Sequence, residues 1–317
     1  MKFLDFAFTG KQKNILIYLL VFVGLFIFLM GAVDPLVTWG ISLFEEAPPP
    51  VTLDKLSALE NQAGGGSKYD RFVMLFSFFV AILVAFYIIP FIHKRKFITF
   101  NTGRRKFSFK RYFVGVLVAL VVYYGGFSIE YFFTDHNYVY NFDLKGLLMG
   151  LPIALLMIPI QTYSEEFFFR GYLTQGVTTA TKNTLAAILL PSVVFAVMHG
   201  INPEVSKYGI VNVVGSIFVT GLTYSIISIL DDGIELSSGM HAFNNISAML
   251  FIGTETSVLG DTKPIFTTDS VGDYVMLITI VQSAAMILIL YFIFKWKDLS
   301  KLVHHYSKEE IESINIS

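Results

Sequence analysis

Cysteine is absent from this 317-residue chain, which excludes disulfide bridges and Cys-ligated metal and leaves the redox state of its compartment unread. Charge is scarce too. Asp, Glu, Lys and Arg make up 15% of the residues, where an average soluble domain carries about a quarter. A water-exposed surface of this size would need many more charges. The formal net charge is -1, so no global basic field points to nucleic acid as a partner. Also missing are an internal repeat, a heptad run and the matched broken helices of a two-halved transporter.

What the chain has instead is apolar length. It is 54% hydrophobic and 16% aromatic, with a mean hydropathy of +0.64. A membrane span needs roughly 20 mainly apolar residues, and about eight stretches meet that requirement. They lie near Asn14 to Val33, Phe72 to Ile92, Tyr112 to Phe133, Leu147 to Phe169, Asn183 to His199, Gly209 to Leu230, Leu236 to Gly253 and Val271 to Trp296. The first follows Lys2, Lys11 and Lys13, is too long for a cleaved leader, and reads as a retained signal-anchor helix. The expected fold class is all-α, a polytopic integral membrane protein.

Lys and Arg in short loops set orientation. The loop 94–111 carries Lys94, Arg95, Lys96, Arg104, Arg105, Lys106, Lys110 and Arg111 without an acid, and so is expected on the cytoplasmic side. Both termini then face the cytoplasm, in a multi-pass plasma-membrane protein. Asp231 and Asp232 on the same side are weak contrary evidence, because acids count little in this rule. The expected organisation is one membrane domain. It comprises an N-terminal three-span region (1–133) with a flexible outer loop (34–70, containing Pro48-Pro49-Pro50 and Gly64-Gly65-Gly66), a five-span core (134–298) and a cytoplasmic tail (299–317).

A charge in the hydrocarbon core costs at least about 2.5 to 3.5 kcal/mol, so ionisable groups inside spans are functional candidates. They gather at Ser164-Glu165-Glu166-Phe167-Phe168-Phe169-Arg170, at Phe195 to His199, and at His241 to Asn245. Glu166 and Arg170 stand four apart in the favourable order for a helix ion pair. Glu165 points about 100° away. An interfacial charge cluster would account for the first group, a satisfied buried histidine for the second and interhelical hydrogen bonding for the third. Their combination on separate spans is harder to explain that way.

A carboxylate in a low-dielectric site suits a general base for water, and histidine can share that water or protonate a leaving group. An Asn amide and a second His can donate to a developing oxyanion, worth about 3 to 4 kcal/mol. The same atoms allow a zinc site of Glu165, His199 and His241, although there is no His-Glu-x-x-His helix. A proton-coupled transporter and a catalytically silent scaffold complete the readings.

At these residues the sequence resembles the CAAX prenyl endopeptidase and bacteriocin-processing (CPBP, Abi) family of intramembrane proteases. Its pattern is Glu-Glu-x-x-x-Arg, then Phe-x-x-x-His, then His-x-x-x-Asn. Glu165-Glu166 with Arg170, Phe195 with His199, and His241 with Asn245 supply it in order, and Gly171 and Gly221 also look like the family. The resemblance implies an eight-helix membrane fold enclosing a polar cavity. It implies Glu165 and His199 as the water-activating pair, His241 and Asn245 at the oxyanion, and Glu166 with Arg170 orienting Glu165. It further implies no cofactor, with zinc as the alternative, and a membrane-bound protein or peptide substrate, lipidated or not.

Depth poses a difficulty. At 1.5 Å per residue, Glu165 lies about 27 Å from the outer start of its span, near the inner end, while His199 falls at the outer end of the next. Kinks at Pro159 and Pro191, or a helix in place of a loop over Gly171 to Lys182, would be needed. The expectation is that Glu165, His199 and His241 converge in one water-filled cavity.

Overall fold

The computed structural model describes residues 2–28, 33, 35–36, 39, 68–133, 138–254, 256–259, 264–268 and 275–316. Most of the expected outer loop, with its proline and glycine runs, and His136 lie outside them. That loop ends earlier than expected, since residues 68–70 already belong to a helix.

The helices are α1 (Ile15–Phe28), α2 (Lys68–His93), α3 (Phe109–Phe133), α4 (Leu144–Glu166), α5 (Thr174–Thr181), α6 (Thr184–Met198), α7 (Pro203–Tyr208), α8 (Ile210–Leu230), α9 (Glu235–Leu250), α10 (Val275–Phe294) and α11 (Lys308–Ile316). Among the described residues, six helical runs are long and apolar enough to cross a membrane. Their outward faces are apolar: Phe91 is 72% exposed, Leu156 66% and Phe292 71%. Water would not tolerate such a surface, whereas lipid does. This is a polytopic, all-α membrane protein. The described part of α1 is shorter than a full span, and α9 is only 16 residues long. α9 is wrapped by protein, packing chiefly against α3 and α4, so its polar residues meet side chains rather than lipid.

The largest departure from expectation concerns the fourth span. α4 does not end near Phe169. It passes into a π-helix over Phe167–Leu173 and on through α5, a helical run of 38 residues from Leu144 to Thr181. The stop comes at Lys182, whose φ of 55° is left-handed. Asn183 then caps α6 by accepting from the backbone N–H of Ala186. Of the resolutions offered for the depth difficulty, the helix in place of a loop is the one found, and the turn into the next span lies some three helical turns further along.

The basic loop is built structure too. Residues Phe97–Phe100 form a short 3-10 turn, Arg95 is buried, and Arg104 and Arg111 both bind Asp231 at 3.0 and 2.7 Å. Arg104 also reaches Glu235 at 3.2 Å. Asp232 binds Lys301 at 2.6 Å, and the Tyr306 hydroxyl donates to Asp5. The two termini, the basic loop and the turn holding Asp231 thus meet at one end of the bundle. Asp231 is no contrary signal there, because arginines from that very loop neutralise it.

At the opposite end a small sheet, absent from the sequence reading, runs in the order β1 (Tyr138–Tyr140), β3 (Phe266–Thr268), β2 (Ile252–Thr254). β1 pairs antiparallel and β2 parallel to β3.

Candidate active site

Between these ends lies a cavity of about 770 Å³. Glu165, His199, His241 and Asn245 all line it. Phe22 and Phe26 of α1, Phe168, Phe169 and Met198 form much of its apolar wall, and strand β2 also lines it.

Glu165 is 8% exposed, and its Oε2 makes no hydrogen bond among the described residues. That oxygen lies 3.5 Å from Nε2 of His241, close enough for charge attraction but beyond good hydrogen-bond geometry. Glu166 is fully buried on the neighbouring face. Its Oε1 accepts from Nη1 of Arg170 at 2.8 Å and from Nδ1 of His241 at 2.9 Å. The carboxylate can only accept, so Nδ1 of His241 carries the proton. Glu166 thus holds His241 directly, a link that chain spacing did not reveal.

Arg170 is 1% exposed. Its Nη2 donates to the carbonyl of Gly221 at 3.3 Å, and its guanidinium lies 4.2 Å from the ring centre of Phe195. The two glycines noted in the sequence have clear reasons. A Cβ on Gly221 would sit 3.3 Å from Nη2 of Arg170 and 3.5 Å from the Phe195 ring. A Cβ on Gly171 would run into the carbonyl oxygen of Phe100.

His199 caps the end of α6. Its Nδ1 donates to the Phe195 carbonyl at 2.7 Å, which leaves Nε2 as the proton acceptor of the neutral ring. Asn245 donates through Nδ2 to Oε1 of Gln161 at 3.2 Å, while Nδ2 of Asn244 donates to its Oδ1 at 3.1 Å.

Sequence reasoning missed Gln161 and Glu204, which share the cavity lining. Gln161 had a signal: it stands four residues before Glu165 in an apolar run, hence on the same helix face. Glu204 had none, since its contact with the backbone N–H of Val258 at 2.8 Å is long-range. Burial raises the Glu204 carboxyl above its usual range, against the opposing pull of that N–H and of His199.

A zinc site needs Glu165, His199 and His241 to face one point. Among the described residues no group of three or more His, Cys, Asp or Glu is so placed. Glu166 engages Nδ1 of His241, so Nε2 is the ring nitrogen turned toward Glu165.

Residues 146–247 match the family described as type II CAAX prenyl endopeptidase, Rce1-like. This segment is similar to that family. It contains all three motifs and every residue from Gln161 to Asn245 discussed above. The chain is also 32% identical over 181 residues to the uncharacterized protein YyaK of Bacillus subtilis. That alignment covers 56% of this chain and 60% of the relative's length.

Proposed function

We propose that this protein is an intramembrane endopeptidase that hydrolyses a peptide bond of a membrane-associated substrate with water activated by Glu165. One observation carries the reading: Oε2 of Glu165 is buried without a hydrogen-bond partner, on the wall of a large cavity, 3.5 Å from His241. A carboxylate oxygen that no protein group occupies is open to accept a hydrogen bond from a water and then its proton.

In the proposed reaction Glu165, aided by Nε2 of His199, removes a proton from water as the oxygen attacks the scissile carbonyl. The oxyanion of the tetrahedral intermediate accepts hydrogen bonds from Asn245 Nδ2 and from protonated Nε2 of His241. His241 lies between the two carboxylates, with Nδ1 on Glu166 and Nε2 toward Glu165. The proton taken from water then passes to the amide nitrogen as the C–N bond breaks, releasing an amine and a carboxylic acid. Glu166 and Arg170 hold the imidazole of His241.

The apolar wall suits a membrane-bound protein or peptide, lipidated or not. By the positive-inside rule, the end bearing both termini faces the cytoplasm, in the plasma membrane.

Nanodisc-reconstituted protein incubated with an internally quenched farnesylated peptide and its unlipidated counterpart tests the function. Cleavage is expected to survive strong chelation and to vanish in Glu165→Gln. Cleavage that Glu165→Gln leaves intact, or that chelation removes and zinc restores, would overturn it.

A further inference from the structure

The geometry points to Gln161 as a positioning residue that fixes the amide of Asn245 in the orientation needed to donate to the reacting carbonyl oxygen. This inference rests on the endopeptidase reading and deepens it.

Three amides form a chain with one polarity. Nδ2 of Asn244 donates to Oδ1 of Asn245, and Nδ2 of Asn245 donates to Oε1 of Gln161. The first bond engages the oxygen of Asn245, so the amide is held on both sides. The second takes one of its two N–H groups. The remaining N–H is left for the cavity, which Gln161, Asn244 and Asn245 all line. An amide clamped on both sides donates without first reorganising, which is what makes an oxyanion donor effective.

The placement of Gln161 supports the assignment. It is 6% exposed, and one turn of α4 separates it from Glu165. The same helix therefore sets the base and the support of the oxyanion donor, and their separation is fixed by helix geometry rather than by a loop. Burial of an uncharged, entropy-rich Gln side chain is costly unless its polar atoms are used.

Two substitutions separate positioning from bulk. Gln161→Met keeps the volume and removes the acceptor, whereas Gln161→Glu keeps an acceptor oxygen. In nanodiscs, with asparagine labelled with nitrogen-15 and the Asn245 side-chain signals identified by their loss in Asn245→Asp, Gln161→Met is expected to shift that amide pair. Gln161→Glu should leave the pair dispersed as in wild type. With the farnesylated peptide as probe, Gln161→Met should lower kcat about tenfold to hundredfold with KM little changed. Gln161→Glu should recover most of the loss, and Gln161→Met should melt with wild type. Asn245 signals unmoved in Gln161→Met, or equal loss of kcat in both variants, would overturn the assignment. Failure of wild type to cleave either peptide counts against the protease reading alone, because the amide signals still decide whether Gln161 holds Asn245.

Discussion

Glu165 and His199 lie at matching distances from the hairpin that joins their helices. Glu165 is sixteen residues before Thr181 and His199 fifteen after Thr184, about 24 and 23 Å at 1.5 Å per residue. The two side chains face one cavity.

Loss of either member of that pair should abolish cleavage while sparing the fold. Glu165→Gln and His199→Ala are each expected to lower kcat/KM by about 100- to 10,000-fold, with melting temperatures close to wild type. Peptide hydrolysis and thermal melting of the same nanodisc samples check this. Activity within tenfold of wild type in both variants would remove water activation from these residues.

The buried Glu166–Arg170 pair makes a different prediction, about stability. Arg170→Met leaves the Glu166 carboxylate uncompensated and should cost about 3–5 kcal/mol. The double variant Glu166→Leu with Arg170→Met should regain most of that stability yet stay inactive, because His241 has lost its Nδ1 partner. Recovery of activity in the double variant would refute the role given to Glu166.

Gly171→Ala should destabilise more than Gly221→Ala. The first drives a methyl group into a backbone carbonyl, which cannot move away cheaply, whereas the second meets atoms at 3.3 to 3.5 Å. Overpacking of the first kind costs about 1–3 kcal/mol. Melting curves of the two variants rank them, and the reverse order would contradict the packing.

Asp231 gives a pH dependence. Burial raises its carboxyl above the usual value of 3.8 despite Arg104 and Arg111. The folded chain then holds that proton more tightly than the unfolded one. The contribution of Asp231 to stability is highest when it is protonated and is lost as pH rises from the unfolded value through the raised folded one. Asp231→Asn should flatten that fall and be tolerated at neutral pH, since Arg104 and Arg111 are each partly exposed. Melting temperatures from acidic to neutral pH read the slope, and an unchanged slope in Asp231→Asn would exclude this carboxylate as its source.

Hydropathy located most of the spans because a bilayer demands length and apolarity from the local sequence alone. The Glu166–Arg170 pair was legible for the same reason: residues four apart on a helix touch regardless of the rest of the fold. The end of the fourth span was not legible. Phe167–Phe168–Phe169–Arg170–Gly171 looks like an interface, yet Arg170 is satisfied inside the protein by Glu166 and the carbonyl of Gly221. The polar stretch Thr174 to Thr181 likewise packs against α1 and α6 instead of leaving the bundle.

By itself, the sequence determined that this is a polytopic helical membrane protein and which ionisable residues lie on its spans. Both follow from composition and spacing within single helices. Tertiary structure alone decided that Glu165 and His199 share a cavity, that Glu166 grips His241, that Asp231 is paired and that Gln161 meets Asn245. Those relations join residues from different helices, and only the packing of the helices brings them within reach of one another.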